Sequence, residues 1–315
     1  VEIKTNYMMP GLNTPPLLAR PIFLLPCLLA LLLMASCDTE DEPIPAYLTI
    51  GTFELEATNM QVHGSISHKI TEGKAFVVDK ASGVTHQLGT LTLPATVPVL
   101  LSGEAELNVD PVIRANGNSL YPGIYPFYER YTTTLDLAPN VDAYVKPVTR
   151  YKAETAFEFI EDFEGTGHLF QDDRDENPLT FLENSSEDVF EGQFSGKVTL
   201  DSANTVFVVG TNQKYFLDFS TVGKVFMEVN YKTDIPLEFG VLAVDAVGGE
   251  SPNFEFVVLA KDEWNKIYFD MTDLVATSTQ KEFFFVIRGI LPFENGQYKP
   301  EVANVWLDNI KLLHF

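Results

Sequence analysis

Cysteine is nearly absent from this chain, with two in 315 residues. A disulfide scaffold is thereby excluded. Cations are scarce as well: 21 lysines and arginines stand against 44 acidic residues, for a formal charge of -23. No basic cluster marks a phosphate-binding face, so nucleic acid is excluded as a partner. Helical periodicity of useful length is missing after residue 45, and catalytic signatures are missing throughout. His63, His68, His86, His168 and His314 show no metal-ligand spacing such as H-E-x-x-H, and residues 192–196 read G-Q-F-S-G rather than G-x-S-x-G. A pair of glycosidase carboxylates leaves no local motif, but nothing else points to catalysis, and the chain reads as a non-enzyme.

Only one long apolar run is present, from Pro21 to Ser36. It is shorter than the roughly 20 residues of a spanning helix and contains two prolines. It reads as the apolar core of a signal peptide over residues 1–36, with residues 1–7 as an upstream extension or a non-Met start. The run closes on Met34-Ala35-Ser36-Cys37, which resembles the lipobox of bacterial lipoproteins. That resemblance implies lipid attachment at Cys37, the protein's single hold on the bilayer. An ordinary signal peptide with a chance cysteine is the alternative. Residues 37–45 hold four acids and two prolines, a combination that keeps a tether extended. The tether resembles the acidic export signal of Bacteroidetes-type surface lipoproteins, which implies an outer-membrane, cell-surface location. A plain periplasmic spacer is the other reading.

Beyond residue 45, short β-branched and aromatic runs alternate with Gly, Pro, Asn and Asp. This is the pattern of all-β sandwiches, and it predicts two domains, 46–151 and 156–315. In the first, strands are expected over 47–56, 74–79, 87–93, 104–109 and 141–145. The stretches Ala75-Phe76-Val77-Val78-Asp79, Leu88-Gly89-Thr90-Leu91 and Gly103–Val109 resemble small transthyretin-like or PEGA-like sandwiches, with an immunoglobulin-like sandwich as the alternative. In the second, eight strands are expected, enough for two packed antiparallel sheets. The strand from Glu282 to Ile287 is apolar on both parities and so needs cover on both faces, from loops, the first domain or a partner.

Three features of the second domain resemble the galactose-binding-like jelly roll of carbohydrate-binding modules. Asp162-Phe163-Glu164-Gly165 is followed by Gly192-Gln193-Phe194-Ser195-Gly196-Lys197-Val198, then by the strand Trp264 to Met271, and last by Val305-Trp306-Leu307-Asp308-Asn309-Ile310-Lys311-Leu312. In the closing strand Val305 and Leu307 share one parity while Ile310 and Leu312 share the other. All four reach the core only if a β-bulge sits at Asp308-Asn309. The resemblance also implies one structural calcium ion held by Glu164 and Asp308, calcium being a hard cation that takes six to eight oxygens. The alternative role for Asp308 is to hold backbone opened by the bulge.

Trp306 should face outward if Leu307 faces inward, which makes it a candidate sugar platform or a ring buried under a loop. Trp264 matches a position expected in the core. Tyr121, Tyr125, Phe127, Tyr128 and Tyr131 crowd a Pro-broken segment with Arg130, either packed over the sandwich end or exposed as a recognition surface. The loop 171–178 concentrates carboxylates without the glycine of an EF-hand and reads as solvated. Asp201-Ser202-Ala203 resembles the O-glycosylation sequon of Bacteroidetes exported proteins, which would modify Ser202. Together these readings give a non-catalytic outer-membrane lipoprotein that binds a glycan or supports a surface assembly. The alternative is an accessory protein-interaction subunit of an outer-membrane transport or secretion complex.

Overall fold

The computed structural model describes residues 42–57, 59–117 and 122–315. Residues 1–41, with Cys37, and also Tyr121 lie outside the described residues. Among those described, no helix is long and apolar enough to cross a membrane. Strands dominate the chain from residue 45 onward, in two successive sandwich-like sets of sheets.

In the first set Gly103–Ile113 is central. It pairs antiparallel with Glu72–Asp79, Tyr131–Leu137 and Gly123–Ile124, and Thr85–Thr92 extends the sheet beyond Glu72–Asp79. A second sheet runs Ala95–Val99, Ala46–Ile50, Asp142–Val145. Residues two apart on these strands, such as Leu48 and Ile50, Ala75 and Val77, or Leu107 and Val109, point into one shared core. The strand expected over 47–56 is split into Ala46–Ile50 and Glu54–Leu55. The chain there exchanges one parallel partner, Asp142–Val145, for the next, Val148–Thr149.

The second set forms two larger sheets. One has the order Glu183–Ser185, Ser195–Asp201, Val302–His314, Val225–Thr233, Lys261–Asp270, with Ala156–Glu161 also pairing with Val302–His314. The other has the order Asp172–Asp173, Val206–Gly210, Glu282–Ile290, Leu237–Val244, Glu250–Val258. The expected bulge is present. Glu228 pairs with Lys311 and Asn230 with Asp308, so the closing strand carries one residue more than its partner, and Asn309 takes φ 47. Val305, Leu307, Ile310 and Leu312 all reach the core.

Glu282–Ile290 obtains its outer cover from the acidic loop. Arg174 lies over the Phe284 ring at 4.6 Å, ion-paired with Asp172 and Glu250. The carboxylates of that loop also have structural tasks: Asp175 accepts the Val208 N–H at 3.1 Å and the Thr180 hydroxyl at 3.0 Å.

The two sandwiches share a core. Phe226, Tyr268 and Leu313, on the outward face of the second sandwich, belong to the same buried cluster as Tyr125, Phe127, Tyr128 and Tyr151 of the first. This corrects the reading of Tyr125, Phe127 and Tyr128 as a ligand or partner surface, because they are 0%, 0% and 2% exposed. Each large ring removes more apolar area from water at this join than it would on an open surface. The Tyr125 ring meets Phe226 at 5.3 Å and Tyr268 at 4.9 Å. Tyr131 is half-buried on Tyr131–Leu137.

A charged cluster lies inside the join. Glu228 is fully buried, ion-paired with Lys266 at 2.8 Å. Burial alone would raise its pKa; Lys266, Lys311 and the Tyr125 hydroxyl outweigh that and hold it below the usual carboxylate range. Lys311 donates to the Ser65 carbonyl at 2.6 Å, and burial pulls its pKa down to about 7 against the opposing pull of Glu228.

Candidate functional site

A cleft of about 440 Å³ opens where the first sandwich meets the edge of the second. This volume falls in the range of small-ligand pockets, about 300–1,000 Å³. One wall comes from Lys69, Thr71, Arg114 and Asn116, the other from Tyr231, Lys261, Asn265 and the exposed Val257 and Leu259. Both walls are held by hydrogen bonds that cross the join. The Lys69 ammonium donates to Asn265 Oδ1, the Lys69 amide donates to the Tyr268 hydroxyl at 2.8 Å, and the Asp270 amide donates to Asn116 Oδ1 at 2.8 Å. The Asn265 amide also donates to the Tyr231 hydroxyl at 2.9 Å. The result is a fixed trough with amide, hydroxyl and ammonium groups on its walls and an aliphatic lip.

Four of the lining residues are basic, Lys69, Arg114, Lys261 and Lys266, and none is acidic. Arg114 is paired with Glu72 at 2.7 Å and Lys266 with Glu228. Among the described residues, Lys69 and Lys261 have no carboxylate in ion-pair reach. Partial burial, followed by the neighbouring charges of Lys261 and Arg114, pulls the Lys69 pKa down. No local sequence signal announced this cleft, because its cations are separated by long stretches of chain.

The structure brings Glu164 and Asp308 to one loop, residues 191–194, whose amides both carboxylates accept. Gly192, at φ 80, lets Glu164 come so close that a Cβ there would lie 2.2 Å from Oε1. Glu164 then accepts the Gln193 and Phe194 amides at 2.7 and 2.9 Å. Asp308 accepts the Glu191 amide at 3.2 Å and the Asn309 amide at 2.7 Å. Burial pushes the Asp308 carboxyl up to about 7 in spite of these bonds. Among the described residues no group of three or more His, Cys, Asp or Glu side chains is placed to hold a metal ion. Glu164 and Asp308 alone do not complete a calcium shell.

The local motif around Glu164 has its own physical basis. Phe163, at φ 58, drives its ring into the core beneath Gly196, where a Cβ would come within 2.5 Å of the ring. Asp162 closes the turn by accepting the Glu164 amide at 3.1 Å.

Trp306 does face outward, but it is only half exposed. It sits between Lys197 and Lys232 on the neighbouring strands, and the Lys232 ammonium lies over its ring at 5.2 Å. Trp264, expected in the core, lies on the same outward face, because Ile267 and Phe269 take the inward parity. Its indole N–H donates to Asp188 Oδ1 at 2.7 Å, and Asp188 pairs with Lys232 at 2.6 Å. Ser202 is exposed on a turn held by Asp201, which accepts the Ala203 and Asn204 amides at 2.8 Å each.

Among solved structures, the chain is similar to the CBM22-2 xylan-binding domain from Paenibacillus barcinonensis, at 15% identity over 50% of this chain and 99% of that one, with a TM-score of 0.36. A family 30 carbohydrate-binding module of a cellulosomal cellulase from Clostridium thermocellum matches at 14% identity over 50% of this chain and 96% of that one, TM-score 0.33. A module solved with beta-1,4-galactotriose matches at 11% identity over 42% and 82%, TM-score 0.28. At these identities and TM-scores the likeness decides neither ligand nor site. No family model matches the chain, and no curated protein matches it.

Proposed function

We propose that this protein is a non-catalytic, lipid-anchored surface protein of an outer membrane, and that it binds a saccharide in the cleft between its two sandwiches. The observation that carries the saccharide reading is the cleft's lining. Saccharides present hydroxyls around an apolar C–H face, and the trough offers Thr71, Asn116, Asn265 and the lysines together with the aliphatic lip of Val257 and Leu259. Its walls are already tied by hydrogen bonds, so little ordering remains to be done on binding. The jelly-roll motifs of the second sandwich support the same reading, and the lipobox-like Cys37 with its acidic tether supports the anchor and the surface location.

The test is a saccharide-binding screen on the full chain in detergent, followed by calorimetry on hits. Asn265→Ala and Leu259→Asp should each weaken binding at least tenfold. Ser202→Ala, on an exposed turn outside the cleft lining, should leave it unchanged. Binding that ignores both cleft substitutions, or the absence of any saccharide ligand, overturns the reading.

A further inference from the structure

We infer that the cleft selects an anionic saccharide, one bearing carboxylate or sulfate groups, over a neutral one of the same length; this rests on the saccharide reading above. The chain carries more than twice as many acidic as basic residues, yet the lining of this cleft holds four basic residues and no acidic one. A basic concavity on an otherwise acidic surface focuses the local potential and attracts anions that the rest of the molecule repels.

The four cations divide into two kinds. Glu72 and Glu228 neutralise Arg114 and Lys266, which makes those two part of the frame. Lys69 and Lys261 line the same cleft from its two walls, near enough for the charge of one to be felt at the other, with neutral partners at most: Lys69 gives its ammonium to the Asn265 carbonyl. Two like charges brought together in this way destabilise each other until an anion enters between them. Lys69 lies on the first sandwich and Lys261 starts the edge strand Lys261–Asp270 of the second. A single acidic group bridging them therefore touches both halves of the protein. The remaining polar groups, Thr71, Asn116 and Asn265, are free of charge and suit the hydroxyls of the same sugar ring or its neighbour.

The test compares three probes of equal length on the full chain: oligogalacturonate, a sulfated galactan oligomer and a neutral galacto-oligosaccharide. At low salt at least one acidic probe should bind ten times or more tighter than the neutral one, and this preference should shrink as salt rises. The two acidic probes distinguish carboxylate from sulfate. Lys261→Met, at an exposed strand start, and the Lys69→Met/Lys261→Met pair should remove the preference and its salt dependence, so that acidic and neutral probes bind alike. Melting curves check that each variant is folded, with Lys261→Glu as a second variant if the pair does not fold. Equal binding of acidic and neutral probes, or a preference that survives both substitutions, overturns the anionic selectivity and leaves the saccharide reading standing. Failure of all three probes to bind overturns both.

Discussion

The Tyr125 hydroxyl donates to Glu228 Oε1 at 2.7 Å across the join between the two sandwiches. Tyr151, also from the first sandwich, donates to the same carboxylate at 3.0 Å. Lys266 supplies the ion pair from Glu228's own sheet. A buried carboxylate survives in an apolar setting only with such a complement of donors and charge. The join is therefore held by packing and by a specific set of polar contacts to one buried carboxylate.

Removing the acid exposes that dependence. Glu228→Ala leaves Lys266 buried without its partner and should lower stability by about 3–5 kcal/mol. Tyr125→Phe removes one donor and should cost about 1–3 kcal/mol. Urea unfolding of both variants measures the difference.

Lys311 sets a pH dependence on the alkaline side. Its folded pKa of about 7 lies below the ordinary lysine value of 10.5, so between these values the unfolded chain holds a proton that the folded chain has released. Stability should rise with pH across that window, with the full penalty present below about pH 7. Lys311→Met should flatten melting temperature against pH from 7 to 10.

Asp308 sets the opposite dependence on the acid side. Its folded pKa of about 7 lies above the ordinary 3.8, so the folded chain binds the extra proton between them. Stability should fall as pH rises from about 4 to 7, by an amount on the order of a few kcal/mol. Asp308→Asn should remove that slope. The measurement is made in EGTA; loss of the slope on adding millimolar calcium would identify an ion at Glu164 and Asp308, since a bound cation keeps the carboxylate charged.

The bulge residue offers a backbone test. Asn309 holds φ 47, a conformation that costs a β-branched residue about 1–2 kcal/mol more than glycine or asparagine. Asn309→Val should destabilise by at least that amount and Asn309→Gly by much less, read as shifts of the urea midpoint.

Cys37→Ser tests the proposed anchor. The variant should move from membrane to soluble fractions on cell fractionation. Neutralising Asp38, Glu40, Asp41 and Glu42 should abolish cleavage by protease added outside the cell without lowering total protein, if the tether directs export.

The amino-acid sequence by itself determined the strand-rich character and the bulge in the closing strand. Alternation and parity are local properties: Val305 and Leu307 cannot share a core with Ile310 and Leu312 unless a residue is inserted between them, whatever the rest of the chain does. It also indicated that the run from Glu282 to Ile287 needs cover on both faces. Only the tertiary structure decided what provides that cover, that Tyr125, Phe127 and Tyr128 are swallowed by a shared core, and that Trp264 lies outside it. Each of these depends on which surface of one sandwich meets the other, and strand periodicity carries no information about that. The cleft is the clearest case. Lys69, Arg114 and Lys261 are unremarkable one at a time in an acidic chain, and they become a site only when the join sets them around one cavity.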